Sequence, residues 1–383
     1  MIRLLTFTNL YPSEAAPRHG IFVEQRLRRL VETGRVQASV VVPVPHRPGT
    51  RGECRPEPPE RHGIAVRYCR FPFIRGITTV MHPRLMARCV RGAVEQLREE
   101  RGDFDLIDAH FLYPDGVGAI HLGRWLNRPV VLTARGSDVN VALRERIAGR
   151  SIRWAARRAA ALIAVSSALR DSMIAQGLPA ERITVVRNGV DLNLFKPGDR
   201  AALRNRFGFT GPTLLSVGNL VPEKGHELTL AALARLPDTR LVLIGSGPQE
   251  ESLRKLADEH GVASRVTWMR PLPQSSLAEY YSAADLTVLS SLREGMPNVL
   301  LESLACGTRV VATAVGGAPE IVTDPVAGTL LHTRSADALA QVCAGLLAHP
   351  VPPCEVRRFA ERFGWHEPVA AQLALFESIL RRS

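Results

Sequence analysis

The chain alternates short apolar runs with longer stretches in which apolar residues recur every three to four positions. Runs such as LVLIG at 241–245 and LTVLS at 286–290 are apolar with hardly a break, which is typical of strands covered on both faces. Strands that alternate with amphipathic helices predict βαβ units and parallel sheets. The predicted strands are 3–8, 38–42, 65–68, 106–109, 130–133, 162–165, 184–187, 213–217, 240–244, 266–268, 286–289, 309–312 and 328–330. The predicted helices are 22–32, 83–99, 115–126, 147–159, 168–176, 225–235, 249–260, 274–282, 297–305, 335–347 and 353–382.

This alternation of strands and helices occurs twice, and the polar segment 193–211 separates the two sets. We therefore predict an α/β protein of two doubly wound parallel-sheet domains, 1–195 and 196–383. The final helix, about 366–383, is able to pack back onto the first domain. Ligands of such sheets bind at the carboxyl ends of the strands, so the two domains are expected to face a cleft. Segment 46–62, rich in proline and charge, predicts a surface loop.

Charge is distributed unevenly over the 383 residues, which carry a formal net charge of +12. Residues 1–200 have a net charge of +13, whereas residues 201–383 have −1. A cationic half favours an anionic partner such as nucleic acid, an acidic membrane surface or a phosphate-bearing substrate, and arginine-rich composition alone is the alternative. Aromatic residues make up only 5%, which argues against nucleic acid. The basic surface expected to face an acidic membrane consists of Arg26, Arg28, Arg29, Arg84, Arg88, Arg91, Arg144, Arg146, Arg150, Arg153, Arg157 and Arg158.

The segment from Ser290 to Glu302 is the first candidate site. It follows a predicted strand, and Pro297 stands where a helix is expected to begin, at its first position. Unpaired N–H groups of that first turn favour an anion. Glu294 and Glu302 are eight positions apart, about 12 Å along a helix. A retaining glycosidase needs its two carboxyls about 5–5.5 Å apart. Glu294 and Glu302 are therefore predicted to bind two separate polyol groups along one extended ligand. Ordinary surface carboxylates remain the alternative.

Two further loops of the second half have residues suited to phosphate. Gly218 and Asn219 follow the first strand there, and Lys224 stands just before a helix. A cation beside a helix N-terminus suits a phosphate, although an ordinary turn explains the same residues. Gly245 and Gly247 supply two of the three glycines of a dinucleotide fingerprint, which alone is a weak signal.

In the first half, polar residues follow three strands. His110 directly follows the strand at 106–109 and is predicted to project into the cleft, with an ordinary polar rim residue as the alternative. Arg135 and Asp138 follow the next strand, Asn188 follows the last one, and all three are candidates for contacting a ligand in the cleft. No cluster of His, Cys and Asp has the spacing of a metal site, so no metal is expected.

Together these segments resemble the signature of the retaining GT-B glycosyltransferases of family 4 (group 1). The matching features are Glu294 and Glu302 with Gly307 beyond them, the loop from Gly218 to Gly225, the Gly245–Gly247 pair and the segment NGVD at 188–191. The segments TNLYP at 8–12, HGIFVEQ at 19–25 and HFLYPD at 110–115 resemble the teichuronic-acid-type branch, whose members build cell-surface polysaccharides.

The resemblance implies a Rossmann-like C-terminal domain that holds a nucleotide-sugar donor and an N-terminal domain that holds the acceptor. Glu294 would hold the donor sugar's hydroxyls, Glu302 the ribose hydroxyls, and Lys224 would neutralise the diphosphate. The backbone of Gly295, Met296, Pro297, Asn298 and Val299 would cap the diphosphate. His110 would lie near the donor sugar, and Gly20 would belong to a loop facing the phosphates. Arg135, Asp138 and Asn188 would contact the acceptor in the cleft.

The resemblance also implies retention of the anomeric configuration without a metal or other cofactor. Two positions depart from the family: members often have Arg where this chain has Asn219, and His where it has Arg135. Arg135 is then either a replacement cation or a reader of the acceptor. Other interpretations are a GT-B sugar-nucleotide epimerase or phosphorylase, a non-catalytic relative and a nucleic-acid-binding protein.

The expected partners are a nucleotide-sugar donor, an anionic glycan or lipid-diphosphate-linked acceptor, and an anionic membrane surface. No run of 18 or more apolar residues predicts a membrane span, and the N-terminal residues predict a first strand rather than a signal peptide. We expect a cytoplasmic protein held peripherally at the inner face of the membrane.

Overall fold

The computed structural model describes residues 1–46, 58–74 and 81–382. The chain forms two compact units, Met1–Arg187 with His366–Ser383, and Asn188–Trp365. The predicted boundary after residue 195 lies further along the chain than the division after Arg187. Asn188 therefore belongs to the second unit, although it was predicted to be part of the first domain.

Unit 1 contains an eight-stranded sheet in the order β3-β4-β2-β1-β5-β6-β7-β8. All pairs are parallel except the β3–β4 pair. The order reverses between β1 and β5, which defines the topological switch point. The strands are β1 Ile2–Phe7, β2 Val36–His46, β3 Glu60–Arg61, β4 Ile64–Pro72, β5 Leu106–His110, β6 Val130–Ala134, β7 Ala161–Ala164 and β8 Ile183–Val185.

Helices cover both faces of this sheet, and Leu4, Val40, Ile107 and Leu162 of its strands are fully buried. Burial from both sides is the reason for the continuous apolar runs. The helices are α1 Ile21–Val31, α2 His82–Cys89, α3 Arg91–Arg101, α4 Val117–Leu126, α5 Ser137–Asn140, α6 Arg146–Ala156 and α7 Ser167–Ala175.

Unit 2 contains a six-stranded parallel sheet in the order β11-β10-β9-β12-β13-β14, so its switch point lies between β9 and β12. The strands are β9 Thr213–Val217, β10 Arg240–Ile244, β11 Val266–Met269, β12 Leu286–Leu289, β13 Val310–Thr313 and β14 Gly328–Leu331. The helices are α8 Arg200–Phe207, α9 His226–Leu233, α10 Glu250–Glu259, α11 Gln274–Ala283, α12 Asn298–Ala305, α13 Ala318–Ile321, α14 Ala336–Ala348 and α15 Pro353–Ala360. The predicted class of two doubly wound parallel-sheet domains is confirmed.

The last helix, α16 (His366–Leu380), returns to unit 1 and packs against α1. One helix was predicted for 353–382, but the chain is extended at Gly364, which separates α15 from α16. Gly364 instead forms an isolated parallel bridge with Val190 in unit 2. The change of unit therefore requires a break that helical periodicity does not reveal.

Several other predicted elements are corrected by the structure. The predicted helix 83–99 is interrupted at Val90, so Arg84 and Arg88 lie on α2 and Arg91 on α3. The predicted polar boundary segment contains α8, which Asp199 caps through its side chain. Of the predicted loop 46–62, residues 47–57 lie outside the described part of the chain and Glu60–Arg61 form β3.

No helix in the described part of the chain is long and apolar enough to cross a membrane. The arginines of unit 1 differ in exposure. Arg26 was counted with the basic surface of the first domain, but only 1% of it is exposed. Arg146 and Arg150 of α6 are exposed, and so is Ile147 between them.

Candidate functional site

Lys224 and Glu294 meet at the switch point of unit 2. Lys224 ends a short turn after β9, and Glu294 follows β12, the neighbouring parallel strand. The Lys224 Nζ lies 2.6 Å from the Glu294 Oε1, and the Ser291 hydroxyl donates to the same oxygen at 2.7 Å. The exposed fractions of the two charged side chains are 27% and 9%. Both charged residues were predicted from the sequence to bind the donor, whereas their pairing and the contact from Ser291 were not predicted.

The two loops that carry these charges are joined by further hydrogen bonds. The Leu292 N–H donates to the Glu223 carbonyl at 2.8 Å, and the Ser290 hydroxyl donates to the Gly225 carbonyl at 2.6 Å. Gly225 has a φ of +64°, and a Cβ there would lie 2.2 Å from the Ser290 carbonyl oxygen. Only glycine fits this contact, so the loops are fixed relative to each other.

His226 supports the turn after β9 and was missed by the sequence analysis. Its ring is 2% exposed, with Nδ1 3.1 Å from the Ser216 hydroxyl and Nε2 3.1 Å from the Asn219 carbonyl. A carbonyl only accepts, so Nε2 carries the proton and Nδ1 accepts from Ser216. Burial lowers the pKa of His226. A lone histidine at a helix start gives no signal of this role.

Packing within unit 2 accounts for two of the predicted donor-binding glycines. A Cβ at Gly245 would lie 1.9 Å from the Gly218 carbonyl oxygen, and one at Gly247 would lie 2.3 Å from the Leu220 carbonyl oxygen. The nearest atoms to a Cβ at Gly218 itself are 3.7 Å away, in His226 and Lys224. The protein therefore requires glycine at 245 and 247, whereas at 218 it leaves room for a side chain.

The segment after Glu294 is anchored from two sides. The Gly295 carbonyl accepts from the Gly317 N–H at 2.9 Å, and the Asn188 side chain donates to the Asn298 side chain at 2.9 Å. Met296 and Pro297 are buried, and Asn298 and Val299 are partly buried. The helix begins at Asn298, so Pro297 precedes it and is not its first residue as predicted. Asn188 thus supports the start of α12.

Glu302 lies one turn into α12, apart from the Lys224–Glu294 pair in its contacts. It accepts a hydrogen bond from the Tyr281 hydroxyl at 2.9 Å, and Tyr281 is fully buried. Burial raises the pKa of Glu302 to about 7, against the lowering effect of its hydrogen bonds from Tyr281 and Gln274. The two glutamates therefore have different hydrogen-bond partners within the protein.

In unit 1, His110 ends β5 beside the switch point, but its ring is only 1% exposed. Its Nε2 lies 3.1 Å from an Asp108 carboxylate oxygen, and its Nδ1 lies 2.6 Å from an Arg135 guanidinium nitrogen. The prediction that His110 projects into a cleft stays a prediction, because the ring contacts Asp108 and Arg135 within unit 1. Arg135 is partly buried and lies over the Phe22 ring, with 4.9 Å between its guanidinium carbon and the ring centroid.

Asp138, predicted to contact the acceptor, is fully buried and holds backbone instead. Its oxygens accept from the N–H groups of Leu112, Arg135, Gly136 and Val139 at 2.8–3.2 Å. These bonds fix the turn that presents the Arg135 side chain. Burial raises the pKa of Asp138, against the lowering effect of those bonds.

Gly20 precedes α1 and has a φ of +69°. A Cβ there would lie 2.1 Å from the Leu10 carbonyl carbon, so the loop after β1 packs too closely for any other residue. This packing explains the glycine without a ligand, and its predicted role at the phosphates stays a prediction. Within residues 1–46, 58–74 and 81–382, no group of three or more His, Cys, Asp or Glu could hold a metal ion.

Two family models match consecutive parts of the chain. The model described as "Glycosyltransferase Family 4" matches residues 19–194, and "Glycosyl transferases group 1" matches residues 199–362. A D-inositol 3-phosphate glycosyltransferase of Mycolicibacterium paratuberculosis is 31% identical, with 87% of this chain and 81% of that protein covered. Its counterpart in Mycobacterium avium is also 31% identical, over 87% of this chain and 84% of that protein.

Solved structures share the fold at lower identity. Sucrose-phosphate synthase from Thermosynechococcus elongatus has a TM-score of 0.81 and 21% identity, and both chains are covered completely. The Anabaena protein HepE, solved in complex with UDP-glucose, has a TM-score of 0.75 and 22% identity over 100% of this chain and 99% of that one. Both likenesses concern the arrangement of the backbone.

Proposed function

Because this chain belongs to the group 1 glycosyltransferases of family 4, we propose that it transfers a sugar from a nucleotide-sugar donor with retention of the anomeric configuration. The observation that carries the proposal is the Lys224–Glu294 pair at the switch point of unit 2. This is where open α/β sheets bind ligands, and the pair offers one cation and one carboxylate. The cation can pair with the diphosphate of a nucleotide-sugar, and the carboxylate can accept hydrogen bonds from its sugar hydroxyls.

The donor is proposed to bind along the loops after β9 and β12. Lys224 pairs with the diphosphate, Glu294 accepts hydrogen bonds from the sugar hydroxyls, and Glu302 accepts from the ribose hydroxyls. The UDP-glucose complex of the Anabaena protein supports a donor of this class. Lys224 pairs with Glu294, so a diphosphate that binds Lys224 draws the ammonium away and makes the carboxylate available to the sugar.

Retention is proposed to follow from attack on the same face that the diphosphate leaves. The acceptor oxygen bonds to the anomeric carbon, the bond from that carbon to the diphosphate oxygen breaks, and the acceptor proton passes to the departing diphosphate. Lys224 stabilises the charge that develops on the diphosphate. Glu294 and Ser291 act by orienting the sugar, and no step requires a metal.

The acceptor is proposed to be anionic and to bind unit 1, which contains most of the excess of arginine. A lipid-diphosphate-linked or polysaccharide acceptor at a membrane is the first candidate. The exposed basic face of α6, with Arg146, Ile147 and Arg150, supports attachment to an anionic leaflet. A phosphorylated polyol is the second candidate, because the Mycolicibacterium relative is named for inositol 3-phosphate.

A donor screen tests the proposal. Purified protein is incubated with UDP-, GDP-, ADP- and dTDP-sugars, with and without inositol phosphate or lipid-diphosphate vesicles, and products are followed by mass and NMR. One donor is expected to stabilise the protein thermally and to yield a glycoside with the donor's anomeric configuration. An inverted product contradicts retention. A free sugar phosphate or an epimerised nucleotide-sugar supports a phosphorylase or an epimerase instead.

A further inference from the structure

Five side chains form a continuous hydrogen-bonded chain inside unit 1. It runs from α1 through the C-terminal helix α16 to the end of β5 and the loop after β6. Its ends are guanidinium groups, and its centre is a carboxylate and an imidazole. In order, the members are Arg26, Gln372, Asp108, His110 and Arg135.

The contacts of this chain are direct, and four of its members are almost fully buried. Arg26 Nε donates to the Gln372 Oε1 at 2.6 Å, and the Gln372 Nε2 lies 3.4 Å from the Asp108 Oδ2. The same Asp108 oxygen lies 3.1 Å from His110 Nε2. Arg26, Gln372, Asp108 and His110 are each 1% exposed. Only Arg135 reaches the partly exposed margin of the unit.

Only one assignment of donors and acceptors fits this series of hydrogen bonds. A guanidinium donates and never accepts, so His110 Nδ1 accepts from Arg135 and carries no proton. The His110 proton is therefore on Nε2, where it is donated to Asp108. Burial lowers the pKa of His110 to about 4, against the raising effect of Asp108, so the ring is neutral at pH 7.

This geometry leaves neither nitrogen of His110 available to a substrate. A neutral ring whose acceptor is occupied by a cation is no proton shuttle. The ring holds the guanidinium of Arg135, which also lies over the face of Phe22. Arginine held in one orientation binds phosphate or carboxylate in a bidentate manner.

We propose that His110 is a positioning residue, fixed through Asp108, Gln372 and Arg26, that orients Arg135 toward a phosphate or carboxylate group of the substrate. The C-terminal helix thereby contributes to the geometry of the site in unit 1 through Gln372. The role of Arg135 toward the substrate rests on the proposed function. The series of hydrogen bonds and the tautomer of His110 do not depend on it.

Nitrogen-15 NMR of histidine-labelled, unliganded protein tests the chain without any substrate. The His110 signals are assigned by difference with His110→Asn. A neutral Nε2–H tautomer is expected at pH 7. An Nδ1–H tautomer or an imidazolium would contradict the proposed hydrogen bonds of His110 to Arg135 and Asp108. Because no donor is needed, this result stands even if the proposed transferase activity is not found.

Kinetics then separate positioning from proton transfer. The amides of His110→Asn and His110→Gln can accept from Arg135 and donate to Asp108, whereas His110→Phe can do neither. At least one amide variant is expected to retain turnover within about tenfold of the parent, and His110→Phe and Arg135→Ala to lose far more. A group that transfers a proton contributes about 10²–10⁴ in rate. Equal loss in both amide variants and His110→Phe, with folding intact, overturns positioning.

The contribution of the C-terminal helix is tested at Gln372. Gln372→Leu removes the connection, while Gln372→Glu keeps the size and the partner for Arg26 but no longer donates to Asp108. Both are expected to raise KM for the substrate that bears the anionic group, several-fold more than they lower kcat. Gln96→Leu, on the exposed surface of α3, is the control. Unchanged KM values in both Gln372 variants contradict a role for α16.

Discussion

The ammonium of Lys224 and the carboxylate of Glu294, 70 residues apart in sequence, form an ion pair with a nitrogen–oxygen distance of 2.6 Å. The pair lies at the switch point of unit 2, and the Ser291 hydroxyl donates a hydrogen bond to the same oxygen of Glu294. A diphosphate that binds Lys224 has to compete with Glu294. Donor binding and rearrangement of this pair are therefore expected to be one event.

Neutralising either member of the pair is expected to remove transfer while the fold survives. Lys224→Ala loses the charge that stabilises the leaving diphosphate, and Glu294→Gln loses an acceptor for the sugar hydroxyls. Each change should lower kcat about 10²–10³-fold. Lys255→Ala and Glu259→Gln on the exposed surface of α10 are matched controls. Near-parental turnover in both site variants, with thermal unfolding unchanged, would exclude the proposed roles.

The glycines of unit 2 separate packing from ligand approach. Gly245→Ala places a methyl 1.9 Å from the Gly218 carbonyl oxygen and is expected to destabilise the protein by roughly 1–3 kcal/mol. Gly218→Ala has 3.7 Å of space and should fold like the parent. If the donor passes close to this backbone, Gly218→Ala raises the Kd for the nucleotide without changing Tm. An unchanged Kd would show that the donor does not bind close to the backbone of Gly218.

Stability is expected to fall between pH 5 and 8 partly because of Glu302. Its pKa of about 7 in the folded protein exceeds the usual 4.5, so the folded state binds this proton more tightly than the unfolded state. The stabilisation is complete below pH 4.5 and is lost as the pH rises through 7. Glu302→Gln should reduce the difference in unfolding free energy between pH 5 and pH 8 by on the order of 2 kcal/mol. Identical pH profiles for parent and variant would contradict a raised pKa.

Activity is expected to survive chelation. In the proposed mechanism Lys224, at the switch point of unit 2, neutralises the diphosphate and no metal is needed. Initial rates should agree within about twofold with and without EDTA in protein freed of metals by dialysis. Complete loss in EDTA, restored by Mg²⁺ or Mn²⁺, would show that a metal carries the charge instead.

Binding to anionic vesicles is expected to depend on α6. Each basic residue near an anionic leaflet contributes about 1 kcal/mol, and salt screens the attraction. The parent should float with anionic liposomes at low salt and be released at high salt, and Arg146→Glu with Arg150→Glu should abolish flotation. Arg254→Glu with Lys255→Glu in unit 2 makes the same change of charge elsewhere and should float like the parent. Equal flotation with neutral liposomes would leave composition bias as the explanation of the arginines.

Local pattern was sufficient for most of the fold. The predicted strands at 213–217, 240–244 and 286–289 coincide with β9, β10 and β12 residue for residue. Periodicity within a short window reports burial of one face or two, and burial is what makes these segments strands or helices. The breaks at Val90 and Gly364 escaped prediction because apolar spacing continues across them.

The sequence by itself determined the class of most elements, the two parallel sheets and the segments that hold Lys224, Glu294 and Glu302. Only the tertiary structure decided which groups meet. Lys224 reaches Glu294 across 70 residues, and Gln372 reaches Asp108 across 264. His110 likewise meets Arg135, which follows the neighbouring strand, across 25 residues. Periodicity encodes which face of an element is buried, whereas strand order and helix packing fix the distances on which ion pairs and hydrogen bonds depend.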